Sequence, residues 1–191
     1  NEGGSGWAKD KMDFSVQNLG YDANGNILSM RQKGVKVASI VNMDALRYDY
    51  LPNSNKIRAV TDSANDPLSK AGDFVDGNTS STDDYSYDGN GNLTRDFNKG
   101  IVRGPYQGIT YNHLSLPEQV FVTGKGIITY MYDATGKKLR KKVVDSTANP
   151  VRTITTDYIS GFVYENDTLQ HVLTENGKIR RKDSTNQLVY D

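Results

Sequence analysis

Hydrophobic and polar residues alternate with a period of two along much of the chain. Between Ile127 and Tyr132, residues Ile128, Tyr130 and Tyr132 share one face, while Ile127, Thr129 and Met131 share the other. Further on, Leu139 and Val143 alternate against Lys138, Arg140 and Lys142. Side chains of a strand point to opposite faces in turn, so this period predicts strands. Short clusters of Asn, Asp and Gly separate the runs. They predict tight turns, because Asn and Gly tolerate positive φ and Asp bonds back to nearby backbone. The pattern as a whole predicts an all-β chain of antiparallel hairpins in one continuous sheet. Met43 to Tyr50 is the one stretch with a helical alternative, of a single turn at most.

One unit recurs within this pattern. Tyr21-Asp22 is followed by Gly25 and Ile27, Tyr87-Asp88 by Gly91 and Leu93, and Tyr132-Asp133 by Gly136 and Leu139. Degenerate relatives run from Tyr50 to Ile57, from Tyr111 to Pro117 and from Tyr164 to Leu169; in the last, Asn166-Asp167 reads as a two-residue loop. Tyr, Asp and Gly keep the same spacing in the three full copies, which identifies a true internal repeat. The tyrosine before each turn and the aliphatic after it are expected to pack as cross-strand neighbours. Uneven spacing between the tyrosines argues against a solenoid of identical rungs and for hairpins with loops of varied length. The longest of these loops is expected at Ser63 to Asp84.

Composition narrows the function classes. Only 36% of the 191 residues are hydrophobic, below the roughly 45–50% of an average soluble domain. No stretch approaches the ~18 apolar residues of a membrane-spanning helix, so no membrane insertion is expected. Twenty-three basic and 23 acidic residues cancel, which argues against a general nucleic-acid binder. The absence of cysteine excludes disulfides and thiolate chemistry. Charge is nonetheless segregated: eight Asp lie between Asp62 and Asp96, whereas Lys137, Lys138, Arg140, Lys141 and Lys142 cluster later.

Candidate chemistry is sparse. Asp22-x-Asn24-Gly25-Asn26 and Asp88-x-Asn90-Gly91-Asn92 look like the opening of a calcium loop, but no acidic residue closes either at the required distance. Hairpin turns account for the same residues without a metal. His113 and His171, the two histidines, lack partners at zinc-motif spacing. Asp83-Asp84 suggests paired carboxylates, yet adjacent strand residues point to opposite faces. No nucleophile elbow, phosphate-binding loop or dinucleotide fingerprint occurs. The sequence therefore predicts no enzyme, no cofactor and no metal ligand. Lys137, Lys138, Arg140 and Lys142 stand as a candidate contact for anionic surfaces, against the simpler reading of a solvated strand face. The repeated tyrosines are expected to pack rather than to stack on sugars.

The Tyr-Asp-x-x-Gly-x-Leu hairpin resembles the YD repeat of the RHS (rearrangement hotspot) family, shared with teneurin and Tc-toxin shells. The resemblance runs from about Phe14 to the end. The phrases at Tyr50–Ile57, Asn98–Ile101, Tyr111–Pro117 and Asp157–Asn166 are similar to RHS proteins of the Bacteroidetes group, in the stretch just upstream of the conserved RHS core. The resemblance implies a curved, spiralling sheet that forms part of a shell, with residues 1–191 as a single repeat region lacking that core. It further implies a secreted or surface-exposed bacterial protein that encloses or delivers a polymorphic toxin. Its partners would be the rest of its own chain and an enclosed toxin. The alternative is an adhesion module binding carbohydrate or cell-surface glycans, or an exported cargo of the secretion machinery.

Overall fold

The fold is that of a computed structural model, which describes residues 12–36, 39–64, 72–79, 83–182 and 187–190. Every helix or strand element among these residues is a strand. Strands β1 (Val16–Tyr21), β2 (Ile27–Lys36), β3 (Ser39–Tyr50) and β4 (Ile57–Asp62) pair antiparallel in chain order. Two short ribbons follow: β5 (Tyr85–Tyr87) with β6 (Leu93–Asp96), and β7 (Val102–Arg103) with β8 (Tyr106–Gln107). The remaining strands are β9 (Ile109–Tyr111), β10 (Pro117–Val122), β11 (Gly126–Tyr132), β12 (Lys138–Asp145), β13 (Arg152–Ile159), β14 (Phe162–Glu165), β15 (Thr168–Thr174), β16 (Gly177–Lys182) and β17 (Gln187–Tyr190). They form a nine-stranded sheet in which each strand pairs antiparallel with the next.

The described residues divide into two compact units. Those up to Ser86, with Asp96–Lys99, form the first; Tyr87–Arg95 and those from Gly100 onward form the second. The all-β, antiparallel expectation is met. The single continuous sheet is not, because the described strands fall into four sheets. The stretch after Asp62 has no apolar alternation to pair, and Gly104-Pro105 confines β7 and β8 to two residues each. Met43–Tyr50 belongs to β3, where pairing with β2 on one side and β4 on the other overrides any local helical tendency. The Ser63–Asp84 loop carries no strand among its described residues, and 65–71 and 80–82 lie outside them.

Burial is thin. Met43, Leu46, Ala59 and Val60 are the buried apolar residues of the first unit and Ile109 that of the second, among the residues described. Most strand positions of β10 to β15 are half-buried or exposed. A β-bulge in β3 leaves Met43 without an opposite number, since Gln32 faces Asp44 and Lys33 faces Asn42. The extra residue puts Met43 and Asp44 both in buried positions, a local re-aiming typical of bulges.

The outer edge of β4 is closed by carboxylates instead of another strand. Val60 N donates to Asp84 Oδ2 (2.7 Å) and Asp62 N to Asp76 Oδ2 (3.4 Å), while Asp84 N donates to Arg58 O (2.9 Å). Asp84 is 2% exposed, and its Oδ1 accepts from Asn78 Nδ2 at 2.9 Å. Its neighbour Asp83 is exposed and lies 3.4 Å from Arg58, so the two adjacent carboxylates do not face each other across a cleft. Truncating Asp84 strands a buried amide, at about 1–3 kcal/mol, whereas an exposed ion pair contributes about 0–1 kcal/mol. Denaturant unfolding is expected to show a clear loss for Asp84→Ala and nearly none for Asp83→Ala; equal losses would contradict the edge-closing role.

Candidate functional site

The three full repeats fold into the same turn. Asp22 Oδ1 accepts the amides of Asn24 (2.9 Å) and Asn26 (2.8 Å), and Oδ2 accepts Asn26 Nδ2 (2.7 Å). Asp88 does the same with Asn90 N, Asn92 N and Asn92 Nδ2 at 2.9, 2.8 and 2.9 Å. At Asp133 the donors are Thr135 N, Thr135 Oγ1 and Lys137 N, at 2.8, 2.7 and 3.0 Å. Gly25, Gly91 and Gly136 take φ of 83°, 89° and 87°, the left-handed region where a Cβ is strained. The Tyr111 repeat shows what the motif needs: Asn112 Oδ1 accepts Leu114 N and Leu116 N, and Ser115 occupies the left-handed position at φ 56°. An acceptor oxygen suffices; the negative charge is not required. The carboxylate oxygens of the two calcium-loop look-alikes are taken up by these amides.

Hydrogen bonds hold all three turn carboxyls below the ordinary aspartate value. The leading donors are the Asn26 and Asn92 side chains for Asp22 and Asp88, and Thr135 for Asp133. Tyr21 lies opposite Ile27 as expected. Tyr132 instead faces Lys138 rather than Leu139, because a register shift follows Met131. Asn166 and Asp167 form the two-residue loop between β14 and β15, both at positive φ.

The tyrosines do something the sequence pattern did not reveal. Tyr50 Oη donates to Ile27 O (2.8 Å), Tyr111 Oη to Leu93 O (2.7 Å) and Tyr132 Oη to Pro117 O (3.0 Å). In each case the acceptor lies six positions after the tyrosine of the preceding repeat. Every one of these hydroxyls thus ties its own repeat to the re-entry point of the one before. Burial pushes the three phenols up, with the preceding repeat's Asp22 and Asp88 adding to it at Tyr50 and Tyr111, so they remain donors. The constant six-position step from each repeat's tyrosine to the acceptor carbonyl was the available signal. Tyr21, with no repeat before it among the described residues, is 56% exposed.

The basic strand is engaged at two of its four candidate residues. Arg140 grips Asp157 through Nε (2.5 Å) and Nη2 (3.1 Å), and Lys138 Nζ sits 5.8 Å from the Tyr130 ring and 4.7 Å from the Tyr158 ring. Lys137 and Lys142 are exposed. His113 lies in the exposed Asn112–Leu116 turn. His171 is a half-buried β15 residue whose pKa is lowered by burial and by Lys178.

A second constellation lies in the first unit. One carboxylate oxygen each from Asp44, Asp62 and Asp73 falls within 4.8 Å of the others. Two unit charges within that distance repel by at least about 3 kcal/mol for an effective dielectric of about 20. Asp44 Oδ1 accepts Phe74 N (2.7 Å), and Asp62 Oδ1 accepts Ala45 N (2.8 Å) and Ala64 N (2.9 Å). Asp62 Oδ2 is buried and has no hydrogen-bond partner among the described residues. The three residues come from separate segments and match no loop motif, so the sequence offered only a run of aspartates after Asp62.

Compared with models of known families and with curated proteins, the chain matches none. Among the described residues no helix is long and apolar enough to cross a membrane. The turn aspartates generate a pH prediction. Their carboxyls are lowered on folding, so their contribution is complete above the ordinary value of 3.8 and is lost as pH falls below it. The triple variant Asp22→Asn, Asp88→Asn, Asp133→Asn keeps the acceptors, as Asn112 does. Its melting temperature is expected to fall less than that of the parent between pH 6 and pH 3, and parallel curves would contradict this.

Proposed function

We propose that this chain is a non-catalytic structural segment of a YD-repeat β-shell, part of a large secreted or surface-exposed bacterial protein that encloses or delivers a toxin. The observation that carries the reading is the serial stitch: a repeat-specific turn, followed by a tyrosine hydroxyl bonded to the preceding repeat. Such a unit adds to its neighbour in the same way each time, which suits a wall extended repeat by repeat. The thin core supports the same reading, since one sheet alone buries little. So does the first edge, where Phe14, Val16, Leu19 and Tyr21 are exposed although apolar. Another repeat of the longer chain would cover them and pair the outer edge of β1, which no strand among the described residues pairs. The resemblance to RHS proteins supplies the enclosed toxin, and the export route follows from it alone.

A second reading, adhesion to acidic glycans, is favoured by one observation. An open groove of about 700 Å³ in the second unit is lined by Arg95, Arg103, Tyr106, Gln107, Thr110 and Gln119. Tyr106 is 70% exposed there, and of the two arginines Arg95 donates to the Pro105 and Tyr106 carbonyls and Arg103 to Gln119 Oε1.

Electron microscopy of the native full-length protein separates the two. Density for an enclosed, poorly ordered polypeptide against the sheet is expected; an open assembly with no enclosed chain would contradict the shell. Adhesion instead requires salt-sensitive retention on heparin that is lost on replacing Arg103 and Tyr106, or Lys137, Lys138 and Lys142, with Ala.

A further inference from the structure

We infer that Asp44, Asp62 and Asp73 form a calcium site that clamps the acidic segment following β4 onto the β3–β4 hairpin. Asp44 and Asp62 are 4% and 5% exposed, so two of the three carboxylates are almost wholly withdrawn from water. Elsewhere such groups are satisfied: Asp84 has a donor on each oxygen, as do the turn residues Asp22 and Asp88. Asp62 departs from this rule. Its Oδ1 is occupied by two backbone amides, while Oδ2 is buried without a donor among the described residues. A buried carboxylate oxygen left without a donor, next to two further carboxylates, is disfavoured unless a proton or a metal cation completes it.

The donor set selects the ion. Oxygen ligands alone, with neither His nor Cys in the group, favour a hard cation over zinc or copper. Three carboxylates drawn from separate segments suit the flexible, irregular coordination of calcium better than the near-ideal octahedron that magnesium demands. Calcium takes about 6–8 oxygens, so water must supply part of the shell.

The local fold holds the ligands in place from three directions. The β3 bulge sets Asp44, pairing with Leu46 fixes Asp62 at the end of β4, and the Phe74 amide bonded to Asp44 brings Asp73 alongside. Residues 72–78 have no ladder of their own, so a shared ion would replace the missing backbone pairing there. The site is separate from the Asp-x-Asn-Gly-Asn turns, whose oxygens are already used.

Calorimetric titration of the chain with calcium chloride, paired with thermal melting, tests this. A single saturable site is expected, with a Kd on the order of 10⁻⁴ M, a melting temperature that rises with calcium, and weaker binding of magnesium. Asp62→Asn and, independently, Asp73→Asn are expected to weaken calcium binding at least about tenfold, since each removes a ligand charge. Asp22→Asn is expected to leave the affinity unchanged. Absence of saturable binding by the parent chain up to about 10 mM, well above the range of extracellular calcium modules, would overturn the proposal. So would unchanged affinity in both cluster variants, or loss of binding in Asp22→Asn.

Discussion

A tyrosine hydroxyl reaching back to the carbonyl six positions after the previous repeat's tyrosine sets the spacing of the repeats within each unit. Tyr50, Tyr111 and Tyr132 make this bond in the same way. It works only because the intervening turn has a fixed length. That length is set by the aspartate, or by Asn112, whose side-chain oxygen gathers two amides of the loop. Without the turn the carbonyl would be misplaced, and without the hydroxyl the turn would close a hairpin indifferent to its neighbour. Each bond is worth about 0.5–1.5 kcal/mol net. Its value here is chiefly positional.

Polar order replaces much of the usual core. In the first unit six aspartates are buried beside four buried apolar side chains, among the described residues. Asp84 and Asp76 serve as acceptors along the edge of β4, and Asp13 joins Lys33 at 3.2 Å with its carboxyl held down to about 2, chiefly by hydrogen bonds from Ser15. The acidic stretch is therefore part of the architecture, closing an edge that would otherwise invite pairing with another chain. Where Asp44 and Asp62 converge with the half-buried Asp73, the same arrangement leaves one Asp62 oxygen unmatched.

Period-two alternation and the Asp-Asn-Gly spacing made the strands, the hairpin turns and the Asn166-Asp167 loop legible from sequence. Met43–Tyr50, where a single helical turn was the alternative, is strand, because pairing on both sides is a property of the assembled sheet. The division into four sheets was hidden for a related reason: short ribbons such as β7–β8 carry too few residues to show a period. The tyrosine hydroxyl bonds needed three dimensions to appear, although their constant offset was present in the sequence. Asp44, Asp62 and Asp73 were invisible as a group, since a bulge, a strand end and an irregular segment bring them together. The basic strand read as free charge, yet Arg140 and Lys138 are engaged by Asp157 and by tyrosine rings.

The serial coupling of repeats is open to a direct measurement by amide hydrogen exchange on Tyr132→Phe. The missing hydroxyl bonded Pro117, which follows the Asn112–Leu116 turn of the preceding repeat. Coupling between repeats predicts faster exchange at Leu114 and Leu116, with Thr135 and Lys137 in the variant's own turn little changed. Faster exchange confined to Thr135 and Lys137, or none at either turn, would contradict it.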